Sequence, residues 1–121
     1  MAENYITKHT EKGSVNISED VVAVMVSAAV AEVDGVAGFG SASTPELVEL
    51  FGRKTSQKGL KIRFIDDKVT IDLILNVKLG GSITDTAVRV QEAVCREVES
   101  ITGMSAVVNV HVSGVSFEKD K

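Results

Sequence analysis

Residues 68–79 read KVTIDLILNVKL. Val69, Ile71, Leu73, Leu75, Val77 and Leu79 recur at every second position, while Thr70, Asp72, Asn76 and Lys78 occupy the alternate ones, with Ile74 the exception. A strand shows its side chains to opposite faces in turn, so this pattern predicts a long strand with one covered face and one wet face, the mark of an antiparallel sheet. Upstream, Leu60, Ile62 and Phe64 alternate in the same way, and Asp66-Asp67 supplies the turn of a hairpin. By parity the wet face carries Lys61, Arg63, Asp72, Asn76, Asn109 and His111.

Downstream, Gly80-Gly81 turns the chain and Ser82 is placed to cap a helix, with Asp85 three residues on in the manner of a capping box. Ile83, Ala87, Val90, Val94, Val98 and Ile101 form an amphipathic stripe, and Asp85–Arg89 and Glu92–Arg96 are i,i+4 pairs on its outer side. Gly103 is the expected C-terminal cap, and Ala106, Val108, Val110 and Val112 mark a last strand.

Towards the start, Ser14 to Ile17 alternates as a short strand, and Ser18, Glu19 and Asp20 open a helix that runs to about Glu32, stopped by Asp34-Gly35. Its interior, VVAVMVSAAVA from Val21 to Ala31, is apolar around the whole circumference. A helix on one sheet face needs only a stripe of roughly 100°, so either the second long helix or another protein chain must cover the remainder. As a helix this run spans about 16 Å, too short for a hydrocarbon core of about 30 Å. Thr44, Pro45 and Glu46 start a short helix to Phe51, and RKTSQKG over 53–59 is a basic, mobile loop.

The whole is an α+β two-layer sandwich, mainly antiparallel, with two long helices on one face. Residues 1–12 are read as a flexible leader, 13–117 as one domain and 118–121 as a charged tail. The 121 residues, 44% hydrophobic and 25% charged, suit one globular domain. A net charge of −4 argues against a polyanionic partner, and a single Cys excludes an internal disulfide. The polar start from Met1 to Lys12 lacks a secretory pattern, so cytoplasmic retention is expected, with any membrane attachment at the inner face made through a partner.

Chemistry is sparse. GVAGFG over Gly35 to Gly40 has neither the order of a dinucleotide fingerprint nor the Gly-Lys-Ser/Thr of a Walker loop. GVAG has the outline of an RNA-clamping GXXG loop, and with Arg53, Lys54 and Lys58 it sustains weak RNA binding as one alternative, against a plain flexible connection. Asp72 and His111 on the wet face are the raw material of a hydrolase, a second alternative, although an exposed strand face neither desolvates nor orients such a pair. Cys95 is read as a small, partly buried residue, not a nucleophile. No cofactor, metal ligand set or catalytic residue is expected.

GSVNISEDVVAVMVSAAVAEVDGV, GRKTSQKGLKI, VTIDLILNVKLGGSI, VQEAV and ITGMSAVVNVHVSGVSF together closely resemble the bacterial alkaline shock protein family, also called the general stress Gls type, from Gly13 to Phe117. That resemblance implies a small cytoplasmic α+β protein, mostly of Gram-positive bacteria, linked to cell-envelope homeostasis and stress, with some members gathered at the membrane by an anchoring protein. It implies no catalytic residues. Where such chains often open the second helix with Ile-Pro, this one has Ile83-Thr84. The expected role is a non-enzymatic interaction or scaffold module acting through self-association or a membrane-anchoring partner. Its expected contacts are Val22, Val26, Val30, Gly35, Gly38, Phe39, Gly80, Gly81 and Ile83.

Overall fold

The computed structural model describes residues 5–40, 45, 49, 59–66 and 68–116. Its elements are β1 (Tyr5–Thr10), β2 (Gly13–Ser18), α1 (Glu19–Ala31), β3 (Val36–Phe39), β4 (Leu60–Ile65), β5 (Lys68–Lys78), α2 (Ile83–Thr102) and β6 (Ser105–Ser116). The short helix expected over 45–51 lies, but for residues 45 and 49, outside the described residues, as do most of the basic loop and the tail over 118–121.

β5 is the axis of the main sheet. Its alternating residues Val69, Ile71, Leu73, Leu75 and Val77 are all buried, and the first four share one core with Val22, Val26 and Val30 of α1 and Val90, Val94 and Val98 of α2. This is the α+β sandwich with both long helices on one sheet face. β4 pairs antiparallel with β5 from Leu60↔Leu73 to Ile65↔Lys68, and β3 pairs antiparallel with the far end of the same edge, at Val36↔Val77 and Phe39↔Leu75. The two meet at Ile74, whose carbonyl accepts from the Gly40 amide at 2.7 Å and whose amide donates to the Gly59 carbonyl at 2.8 Å. β6 runs parallel along the opposite edge from Lys68↔Ser105 to Lys78↔Ser116, so β5, α2 and β6 form a β-α-β crossover.

Both helices start where their chemistry places the cap. Ser18 Oγ accepts from the Val21 amide and Ser82 Oγ from the Asp85 amide, both at 3.2 Å. At the far end of α2, Gly103 adopts φ 74, the left-handed conformation that terminates helices.

Five expectations are corrected. The flexible leader over residues 1–12 contains β1, which pairs antiparallel with β2 in full register from Tyr5↔Ser18 to Thr10↔Gly13. Ile6 is buried in the core beside partly buried Ile17, giving the hairpin an apolar anchor. Lys8 Nζ donates to the Thr102 carbonyl at 3.0 Å, placing a cation at the C-terminus of a helix that has no basic residue in its last turn. The glycine-rich stretch from Gly35 to Gly40 is no flexible connection: Val36–Phe39 is a strand with a bulge before Gly38. The wet face is not uniformly wet, since Asp72 and Ile74 are both buried there.

The α2 stripe is rotated relative to its expected position. Thr86, Val90, Val94, Val98 and Thr102 are buried at strict four-residue spacing, whereas Ile83 and Ile101 are exposed. Finally, Arg89 turns from Asp85 to the Asp34 carbonyl and Thr86 Oγ1, tying α2 to the end of α1.

Candidate functional site

The outer surface of α1 is the first candidate. Val22, Val26 and Val30 are sealed inside this chain's own core, which corrects the expectation that they contact a partner. A fully covered side chain has no surface left to offer. The same helix exposes Val21, Val24, Ala28 and Ala31 at spacings of three, four and three, with Val24 63% exposed. That row is one face of a helix, and it is apolar. Sequence alone could not separate it from the inward row, because valine and alanine occupy both.

The expected contact glycines occupy one end of the sandwich. Gly35, at φ 99, accepts from the Lys78 amide at 2.8 Å, and a Cβ on it would lie 2.8 Å from Thr86 Oγ1. Its role is close packing of the α1–β3 connection against α2. Gly38 and Phe39 lie in β3, and Phe39 packs on the core. Gly80 and Gly81 are exposed in the turn before α2, flanked by exposed Leu79 and Ile83.

On the opposite sheet face, Asp72 is 2% exposed. Arg63 donates to its Oδ2 at 2.6 Å and Asn109 Nδ2 donates to its Oδ1 at 3.0 Å. Three strands thus contribute one residue each: Arg63 from β4, Asp72 from β5, Asn109 from β6. His111 lies two residue pairs further on, in register with Ile74, so it stands diagonal to Asp72 across a shallow open depression. A carboxylate engaged by a guanidinium and an amide is a structural anchor, and this geometry does not assemble the hydrolase pair.

GVAG does not form an RNA-clamping loop, since its backbone is engaged in strand pairing with β5, and Arg53, Lys54 and Lys58 lie outside the described residues. Cys95 Sγ donates to the Ala106 carbonyl at 3.5 Å, and burial, then the nearby Glu99 charge, raise its pKa above the usual thiol value of 9.0. Among the described residues no group of three or more His, Cys, Asp or Glu is placed to hold a metal ion, and no helix is long and apolar enough to cross a membrane.

The chain is similar over its length to three bacterial proteins. It is 36% identical over 110 residues to the uncharacterized protein YqhY of Bacillus subtilis (strain 168), covering 90% of this chain and 82% of that protein. It is 28% identical to the uncharacterized protein Spy1614 of Streptococcus pyogenes serotype M6, over 88% of this chain and 91% of that one. YloU of Bacillus subtilis (strain 168) is 27% identical over 91% of this chain and 94% of its own length. Among solved structures, the MamM CTD in its copper form superposes with a TM-score of 0.50 at 16% identity, over 85% of this chain and 92% of that one, a likeness of fold alone. Residues 7–117 match a family described by its cell envelope-related function, and on that match the chain belongs to the alkaline shock protein 23 family.

Proposed function

We propose that this chain is a non-enzymatic interaction module of bacterial cell-envelope homeostasis and stress response, acting by self-association or through a membrane-anchoring partner at the inner face of the membrane. The observation that carries this reading is the exposed apolar row Val21, Val24, Ala28 and Ala31, left over after the same helix has filled the core with Val22, Val26 and Val30. Apolar side chains lined up along one outward helix face are a contact surface in search of a second one. Membership of a family described as cell envelope-related supports the process, and the apolar row supports the means.

Light scattering across a concentration series, together with membrane fractionation of a bacterial host, tests the proposal on wild type and Val24→Lys. The expected result is a mass that rises with concentration or a membrane-associated fraction, and in either case its loss in Val24→Lys with the fold intact. A strict monomer that stays in the soluble fraction overturns the proposal.

A further inference from the structure

A strand at the border of a sheet presents unpaired N–H and C=O groups, and folded proteins defend such borders with charge, brevity, bulges or a covering element. The described borders of the main sheet differ in this respect. β4 carries Lys61 and Arg63, and β3 is four residues long and bulged. β6 is twelve residues long, rich in valine, and holds no Lys, Arg, Asp, Glu or Pro, and its one register irregularity falls between Val112 and Gly114, just past residues 110–112.

Its first half is defended by α2. Gln91 Nε2 donates to the Val108 carbonyl at 3.0 Å, Cys95 Sγ donates to the Ala106 carbonyl, and the Ala106 amide donates to Glu99 Oε2 at 3.2 Å. These bonds identify Ala106 and Val108 as residues whose backbone points away from β5, and strand alternation extends that set to Val110 and Val112. Four helical residues advance about 6 Å and two strand residues about 6.6 Å, so the α2 positions beside Val110 and Val112 are Ala87 and Ile83. Neither carries a polar side-chain atom. Among the described residues the outward backbone groups of Val110 and Val112 therefore have no partner, and Thr84 and Val88, which share the Gln91 side of the helix and are exposed, line the approach to them without charge.

We infer that this bare stretch of β6 pairs antiparallel with the same stretch of a second copy of the chain, about a twofold axis at His111. Val110 of each copy then faces Val112 of the other, and the two residues exchange N–H···O=C bonds on both sides of the axis. The inference rests on the self-association reading above and adds to it a second surface, separate from the outward row of α1. A backbone array is satisfied by another backbone, which selects an extended strand as the occupant. Self-complementarity selects the second copy, because residues 110–112 read VHV in either direction about His111. The chain carries a net −4, so two copies repel in most orientations, and the VHV edge with Thr84 and Val88 beside it is a place where they approach with no like fixed charges opposed.

Light scattering on the full chain and on Val112→Pro tests this pairing. Proline at an outward-facing edge position removes no hydrogen bond of the monomer's own ladder. It deletes one intermolecular N–H per copy, which is expected to raise the dissociation constant of the dimer at least about tenfold. A cross-link decides the matter should that variant fail to fold. In a Cys95→Ser background, His111→Cys is expected to form a disulfide dimer on mild oxidation, while Ser105→Cys, at the defended end, does not. Self-association that persists undiminished in folded Val112→Pro, with no His111→Cys cross-link, overturns this surface and leaves self-association standing. A strict monomer with no cross-link overturns both.

Discussion

Asp72 shows why residue-scale chemistry on this sheet escapes a reading by parity. Alternation assigns it correctly to the face opposite the helices, yet its burial comes from Arg63 and Asn109, which lie 9 and 37 residues away in the chain and meet it only through strand register. The asymmetry of exposure, 36% for the Arg63 side chain against 2% for Asp72, orders two substitutions. Arg63→Met leaves a buried carboxylate without its cation and is expected to cost about 1–3 kcal/mol, whereas Asp72→Asn leaves a guanidinium that water can reach and costs about 1 kcal/mol. Urea midpoints of the two variants check the order. Cys95 gives a second test. Its raised pKa arises first from burial and then from Glu99, so alkylation by iodoacetamide should follow a titration midpoint above 9.0, lowered partly by Glu99→Gln. A thiol whose folded pKa lies above its unfolded value contributes stability that is complete below the unfolded pKa and lost as pH rises through the folded one. Stability should therefore decline above about pH 9 more steeply in wild type than in Cys95→Ser.

Elements were legible where a local pattern had one physical cause. Ser18 and Ser82 mark helix starts because a hydroxyl before a helical run has few better uses, and the β4–β5 hairpin announces itself by alternation on both arms. The inner face of α1 was illegible because the helix is apolar on every side, so its rotation is set by the neighbours. β1 was missed because YITKHT holds only one core residue, Ile6, among polar ones, and β3 because VAGF reads as a loop until β5 supplies hydrogen-bonding partners. Yet β1 is an integral part of the fold. Ile6→Ala is expected to cost about 2–4 kcal/mol through lost burial and the cavity left behind. Lys8→Met removes the cation from the Thr102 carbonyl and is expected to cost about 1–2 kcal/mol. A chain begun at Gly13 loses both contacts, and thermal melts should place it below either single variant. An unchanged midpoint for that truncation would mean that the hairpin contributes nothing to the fold.

At the scale of the whole molecule, the arrangement that no stretch of sequence announces is the sharing of one strand. β4 and β3 divide one edge of β5 end to end, and β6 takes the other edge in parallel, a pairing that depends on the α2 crossover and not on any turn signal. β5 is consequently flanked on both sides, and Ile71 to Leu75 are all buried. The β1–β2 hairpin stands at the other extreme, a separate two-stranded sheet whose outer edges have no strand partner among the described residues and whose hold on the body comes chiefly from Ile6, Ile17 and Lys8. A two-stranded ribbon is marginal by itself, so its opening should cost less than unfolding of the whole. Native-state hydrogen exchange separates the two. Amides of residues 71–75 should exchange only through global unfolding, with a urea dependence equal to that of the equilibrium transition. Hairpin amides should exchange through a smaller opening with a shallower dependence, and Lys8→Met should speed them while leaving residues 71–75 tied to global stability. A single shared dependence for both sets would show that the hairpin and the main sheet open as one cooperative unit, and that the contacts of Ile6 and Lys8 hold as firmly as the core itself.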